Sequence, residues 1–232
     1  MPTSPVLLIT GASTGIGAAT ARAASEAGYR LVLAARSREK LDQLASELGG
    51  PERALAVTCD VTSWDDQQRA VALATDDFGS LDAVFANAGF GGPGGFTAST
   101  PEDWREMILT NVYGAALTVR ASLEALRASK GHLLLTGSVA GRRAIPGSLY
   151  SSTKWAVTGM AESVRGEVVG SGMRVTLIEP GVVATPFWDD NKGPFEQPLT
   201  DRDVAGAVVW ALSQPAHVDV NEILIRPVEQ AL

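Results

Sequence analysis

Cysteine is almost absent. Cys59 is the only one in 232 residues, so no intrachain disulfide can form, and its setting in LAVTCDV reads as a small buried side chain rather than a nucleophile. Histidine is nearly as scarce: His132, expected to open a strand, and His217, in a loop before the last strand, stand apart from Cys59 and from any carboxylate pair at ligand spacing. A metal site is not expected. Basic residues are outnumbered, 19 Lys and Arg against 26 Asp and Glu, for a net charge of −7 and a pI near 4.9. That balance leaves no cationic excess to displace counterions from a nucleic-acid backbone, so nucleic acid is excluded as a partner. No apolar run approaches the ~18 residues of a membrane span. The opening MPTSPVLLIT has no basic stretch ahead of an apolar one, so no membrane association and a reduced, cytoplasmic setting are expected. Linkers, repeats and charge blocks are missing too, and with 45% hydrophobic residues the chain reads as one domain over 1–232 with a sizeable core.

What is present is an alternation of short apolar runs with helical periodicity. VLLIT (Val6 to Thr10) stops at Gly11, as a strand buried on both faces would, and TGASTGIG (Thr10 to Gly17) follows before a small-residue helix over Ala18 to Ala27. A strand, a glycine turn and a helix N-terminus in that order make an anion site, because unpaired N–H groups and the positive end of the helix dipole converge there. RLVLAA (Arg30 to Ala35) is a second buried strand, and Ser37 begins a helix with Leu41, Leu44, Ala45 and Leu48 at helical spacing. An acidic residue closing that second strand would accept hydrogen bonds from the ribose hydroxyls of NAD. Here Ala35 and then Arg36 stand in its place, so a 2′-phosphate fits better than a bare ribose, and NADP(H) is the expected cofactor.

ALAVTCDV ends a third strand at Asp60. Ser63 then caps a helix with Asp66 three residues on, a variant capping box. Leu81 to Ala86 is a fourth strand running into Asn87, Ala88 and Gly89, and Thr100 with Pro101 reads as N-cap and first helical residue of a long apolar helix carrying Asn111 and Tyr113. HLLLTG is a fifth strand ending before Ser138, MRVTLIEPG a sixth closed by Pro180 and Gly181, and Val220 to Ile225 a seventh, after a helix begun by TDRD at Thr200. Strands alternating with helices throughout mean an α/β fold: a doubly wound Rossmann domain with a seven-stranded parallel sheet flanked by helices. Ligands of such sheets lie outside the carboxyl ends of the strands, where Gly11, Arg36, Asp60, Asn87, Ser138 and Pro180 all fall.

The stretch from Ser138 to Lys154 carries the chemistry. On a helix from Leu149 to about Val169, Tyr150 and Lys154 are one turn apart and point into the same space. An ammonium beside a phenol lowers its pKa from ~10, and a phenol so tuned trades protons near neutrality. Ser138, on the loop after the fifth strand, is placed to hydrogen-bond the oxygen that Tyr150 protonates. Arg142 and Arg143 lie between them, either to meet a substrate carboxylate or, as the sequence favours, as a solvated pair.

These motifs, in this order and spacing, resemble the short-chain dehydrogenase/reductase family over nearly the whole chain. TGASTGIG is similar to its phosphate loop, which has an extra residue between the first two glycines, Cys59-Asp60-Val61 to its adenine contact, and Asn87-Ala88-Gly89 to its structural turn. Asn111, Ser138, Tyr150 and Lys154 match its catalytic tetrad. Ala86 departs, standing where many members have a second asparagine. The resemblance implies cofactor contacts from Gly11, Ser13, Thr14, Gly15, Ile16 and Gly17 in the turn, from Arg36, Asp60, Val61, Asn87, Ala88 and Gly89, from Tyr150 and Lys154, and from Pro180, Gly181, Val183 and Thr185. It further implies reversible hydride transfer between NADP(H) and a carbonyl compound or secondary alcohol. Tyr150 would be proton donor, Ser138 the holder of the carbonyl oxygen, Lys154 the ribose ligand and tuner of the tyrosine, and Asn111 the holder of a water linking Lys154 to solvent.

On the substrate side, Phe90 to Thr97 and a loop of about 185–199 are expected to shape the pocket. The second carries Phe187, Trp188 and Phe195 and reads either as a lid or as an irregular loop packed on the body. With Val139 and Leu149 nearby, an apolar or aromatic substrate is expected. Family members commonly form dimers or tetramers through the helices of Asn111 and Tyr150, so a homodimer or homotetramer is implied. A cofactor-binding sensor without turnover is the competing reading, since fold alone never establishes catalysis, and lyase or epimerase chemistry is a weaker one.

Overall fold

The computed structural model describes residues 4–92, 95–187 and 194–231. Seven strands form one sheet: β1 (Val6–Thr10), β2 (Arg30–Ala35), β3 (Ala54–Thr58), β4 (Ala83–Ala86), β5 (His132–Thr136), β6 (Arg174–Pro180) and, at one edge, β9 (Glu222–Ile225). A further pair, β7 (Val183–Ala184) with β8 (Leu199–Thr200), stands apart. The sheet order is β3-β2-β1-β4-β5-β6-β9 and every pairing is parallel. β1 and β2 are buried almost throughout, which is why they read as continuous apolar runs rather than as alternating ones.

Helices cover both faces. α1 (Gly15–Glu26), α2 (Arg38–Glu47) and α7 (Asp201–Leu212) pack on one, with Leu7, Ile9, Leu31, Leu33, Phe85 and Val208 in its core. The other is covered by α3 (Trp64–Phe78), α5 (Ala115–Ser129) and α6 (Leu149–Val168), around Leu8, Val32, Val84, Leu135, Leu177 and Val157. Thr100 and Thr200 each close a full capping box with the aspartate three residues on, and they start α4 (Pro101–Ile108) and α7. Ser63 caps α3 by accepting from Asp66 N. The Asp66 carboxylate, however, accepts from Asp60 N at 2.9 Å rather than from the Ser63 backbone N–H, so the box is half of the usual one.

Several boundaries differ from the expectation, among them the third strand, which ends at Thr58 rather than Asp60, and the first helix, which begins at Gly15 rather than Ala18. The fourth strand begins at Ala83, not Leu81, and the edge strand at Glu222, not Val220. Residues 219–221 meet β6 by other means: the Asp219 carboxylate accepts from Val175 N, Val220 O from the Thr176 hydroxyl, and Asn221 O from Leu177 N. The long helix after Pro101 is interrupted by a π-helical stretch, Leu109–Gly114, between α4 and α5. Gly114 is pressed against Val61, whose Cγ2 would lie 2.7 Å from a Cβ there, and its carbonyl accepts from Thr118 and Gln67, so side chains meet the carbonyl where the regular ladder is broken.

The chain reverses its winding between β1 and β4, and the crevice at that switch point opens at the carboxyl ends of the strands.

Candidate active site

The glycine turn after β1 is built to let backbone come close. Gly11 and Gly15 have φ of +66° and +52°, and a Cβ on Gly17 would stand 2.3 Å from Gly11 O and 2.8 Å from Asn87 Nδ2. Thr14, the N-cap of α1, makes no side-chain cap, so the first N–H groups of that helix are left to a ligand or solvent. Asn87 ties three strand ends together. Its N–H donates to Thr10 Oγ1 at 3.0 Å, its Nδ2 to Thr10 O at 3.1 Å, and its Oδ1 accepts from Thr136 Oγ1 at 3.2 Å.

From this floor a cleft of about 820 Å³ runs across the strand ends. Arg36 lines one end of it, exposed, with no ion-pair or hydrogen-bond partner among the described residues. Asp60 lies nearby, exposed, accepting from the N–H and hydroxyl of Thr62 at 2.9 and 2.8 Å. Cys59 also reaches the cleft wall, but burial pushes its thiol up to about 12, which leaves it inert as a nucleophile at neutral pH.

Ser138, Tyr150 and Lys154 line the middle of the same cleft. Ser138 follows β5 on a short 3-10 turn: its Oγ accepts from Ala140 N at 3.1 Å and donates to Pro180 O at 3.4 Å, and it stands close enough to the Tyr150 phenol to lower its pKa. Tyr150 and Lys154 share one face of α6, as the spacing requires. Lys154 Nζ, however, lies 5.6 Å from the centre of the tyrosine ring and donates to Thr136 O at 2.7 Å.

The expectation that this ammonium lowers the phenol's pKa is not met by the protein alone. Burial dominates both groups, pushing Tyr150 up to about 12, with the Ser138 bond acting in the opposite sense, and lowering Lys154 to about 8. Tyr150 is half-buried as a residue and lines the cleft.

Asn111 does not line the cleft. It is buried in the π-helical stretch, where its Oδ1 accepts from Phe90 N at 3.0 Å and its Nδ2 donates to Phe90 O at 2.8 Å and Thr153 Oγ1 at 3.2 Å. Gly89 lies between it and Lys154: a Cβ there would be 3.1 Å from Asn111 Oδ1 and 3.8 Å from Lys154 Nζ. Gly17 likewise sits behind the wall. The other expected residues, Ser13, Thr14, Gly15, Ile16, Val61, Ala88, Pro180, Gly181, Val183 and Thr185 among them, do line it.

The substrate end is walled by Val139, Ile145, Pro146, Pro186 and Phe187. Leu149 is not part of it. Phe187 packs edge-on to Tyr150, ring centres 5.5 Å apart, and against Gly91, where a Cβ would meet its ring at 2.4 Å. Trp188 and residues 189–193 lie outside the described residues. Gln230 was invisible to sequence reasoning, because it sits past the last strand with no motif around it. Its Oε1 accepts from Val182 N at 2.9 Å and its side chain joins the cleft wall. Arg142 is not simply solvated as expected: about a third exposed (34%), it pairs with the buried Glu179 and with Glu222, whereas Arg143 is exposed.

The short chain dehydrogenase family pattern matches residues 5–193. Among curated proteins, an uncharacterized oxidoreductase of Staphylococcus aureus (strain MW2) is 36% identical over 228 residues, covering 97% of this chain and 98% of that one. The chain belongs to the short-chain dehydrogenase family. It is an oxidoreductase of that family, and solved members superpose on it closely. An alcohol dehydrogenase from the archaeon Thermococcus sibiricus, complexed with 5-hydroxy-NADP, has a TM-score of 0.91 at 34% identity over 98% of both chains. A 3-ketoacyl-(acyl-carrier-protein) reductase from Brucella melitensis, complexed with NADH, has a TM-score of 0.88 at 25% identity over 96% of both.

A nicotinamide dinucleotide of the kind short-chain dehydrogenases bind fits the residues present. The uncapped N-terminus of α1 offers N–H donors to a pyrophosphate, and Arg36 has no partner among the described residues. Lys154 spends one N–H on Thr136 O, which leaves donors for ribose hydroxyls. Among the described residues no cluster of His, Cys, Asp and Glu could hold a metal ion, and no helix is long and apolar enough to cross a membrane.

Proposed function

We propose that this short-chain dehydrogenase is an NADP(H)-dependent oxidoreductase that interconverts a carbonyl compound and a secondary alcohol, on apolar or aromatic substrates. The observation that carries the reading is one cleft holding Ser138, Tyr150 and Lys154 at its middle and Arg36, unpaired among the described residues, at the end where β2 stops without an acidic residue. Bound in that cleft, the nicotinamide would supply or accept the hydride.

The chain's own residues do the rest. The Ser138 hydroxyl, held between Ala140 N and Pro180 O, is aimed beside the phenol and holds the substrate oxygen. Tyr150, with its phenol held up near 12, is protonated at neutral pH and donates to that oxygen in the reductive direction. Lys154, still mostly charged at pH 7 with its pKa near 8, holds ribose hydroxyls and places positive charge beneath the ring. Arg36 bonds the 2′-phosphate, where its planar fork suits the anion. Val139, Ile145, Pro146 and Phe187 present an apolar wall to the reacting carbon, which favours hydrocarbon-flanked carbonyls over small keto acids.

The test is a comparison of NADPH and NADH oxidation against a panel of aliphatic, aromatic and keto-acid carbonyls. A lower KM for NADPH and preference for apolar carbonyls are expected. Preference for NADH would overturn the cofactor assignment, and preference for small keto acids the substrate class.

A further inference from the structure

Glu179 is a carboxylate with 0% exposure, one residue before the Pro180 carbonyl that meets Ser138. Burying an isolated carboxylate is costly, and here both oxygens are taken by one guanidinium: Arg142 Nε to Oε1 at 2.6 Å and Nη2 to Oε2 at 2.7 Å. Arg142 also contacts Glu222 on the edge strand. It is the residue that follows the turn carrying Ser138. Gly141 N bonds Ser138 O at 2.8 Å and Arg142 N bonds Val139 O at 3.0 Å.

The turn is gripped from both sides. On the helix side, Ser151 Oγ donates to Ala140 O at 2.6 Å, and Gly141 sits so close to α6 that a Cβ would be 2.8 Å from Lys154 O. On the sheet side, Gly137 N bonds Ile178 O at 2.7 Å at its start, and the Arg142 fork fixes its end to Glu179. The two strand ends so joined carry the hydroxyl that would hold substrate and the Pro180–Thr185 segment lining the cofactor part of the cleft.

We propose that Arg142, through its fork to Glu179, is the positioning residue that holds Ser138 in register with Tyr150. This rests on the reading of Ser138 as the group that holds the substrate oxygen. Its partners are Glu179 and Glu222 rather than a substrate carboxylate. A planar two-point contact restrains orientation as well as distance, which a lysine does not reproduce.

The test is a double-mutant cycle on kcat, joined to amide exchange, in the full chain. Arg142→Met is made together with Glu179→Gln, so that no charge is left buried and unpaired. If the clamp acts through Ser138, Ser138→Ala alone costs about 10²-fold in kcat, the Arg142→Met/Glu179→Gln pair about 10-fold, and all three together still about 10²-fold rather than 10³-fold. Arg142→Lys regains thermal stability but not kcat, a split that a purely structural ion pair would not give. Hydrogen exchange at Ala140 and Gly141 quickens at least ~10-fold in the Met/Gln pair while that of α1 is unchanged, and this is read without any substrate. Additive effects on kcat, or unchanged exchange in the 138–142 turn, would overturn the proposal. Failure of the wild-type chain to turn over any carbonyl would count against the reading of the site instead, and the exchange result would still decide the clamp.

Discussion

Lys154 is the residue whose removal the structure lets us weigh most closely. The residue is only 4% exposed, and burial lowers its pKa from 10.5 to about 8. The folded chain therefore holds that proton less tightly than the unfolded one. The penalty is full below about pH 8, fades between pH 8 and 10.5, and is gone above. At pH 7 this displacement amounts to about 3 kcal/mol of lost stability. Lys154→Met keeps the length and removes the charge, and it forfeits the bond to Thr136 O, worth about 1 kcal/mol. The cofactor-free variant should thus be more stable than the parent by about 2 kcal/mol at pH 7, and inactive. Because the penalty itself shrinks to about 1 kcal/mol at pH 9.5, the advantage should nearly disappear there. Tyr150, whose raised pKa removes stability above about pH 10, is common to both chains and cancels below that point. Urea titrations at pH 7 and 9.5 read both quantities. A variant no more stable at pH 7, or an advantage unchanged at pH 9.5, would refute the claim that the site holds its cation against burial.

Two further substitutions probe the cofactor end of the cleft. If Arg36 holds the 2′-phosphate as proposed, Arg36→Leu should raise KM for NADPH by at least ~10-fold and leave that for NADH within ~2-fold, since the guanidinium has no other partner among the described residues; equal losses with both cofactors would contradict this. Gly17→Ala places a methyl 2.3 Å from the Gly11 carbonyl oxygen, forcing the turn to shift. It should lower stability by at least ~2 kcal/mol and weaken NADPH binding at least ~10-fold in a fluorescence titration, whereas wild-type affinity would show that the turn does not set the phosphate site.

Much of this was legible in the sequence because the features involved are local. Buried parallel strands announce themselves as unbroken apolar runs, and Thr100 and Thr200 with their downstream aspartates mark helix starts by short-range hydrogen bonds. Helical periodicity placed Tyr150 and Lys154 on one face, and Ser138, Arg36 and the glycine turn fell where strands end. What stayed hidden depends on depth and on distant partners. The pKa of Tyr150 is governed by burial that no spacing encodes. Arg142 finds Glu179 37 residues away, and Gln230 reaches Val182 across 48. The π-helical stretch at Asn111 arises where Gly114 packs against Val61, so its signal lies in a contact and not in the helical period.

The central claim is that the Tyr150 hydroxyl delivers the proton while NADPH is consumed in the same cleft. Its most direct test follows NADPH absorbance with an apolar ketone for the wild-type chain and for Tyr150→Phe, alongside NADPH affinity for both. The account predicts steady turnover in the first, a loss of at least ~10²-fold in kcat in the second, and the same affinity in each. Turnover retained without the hydroxyl would contradict it, and tight NADPH binding with no turnover by the wild type would make the protein a cofactor-binding sensor instead.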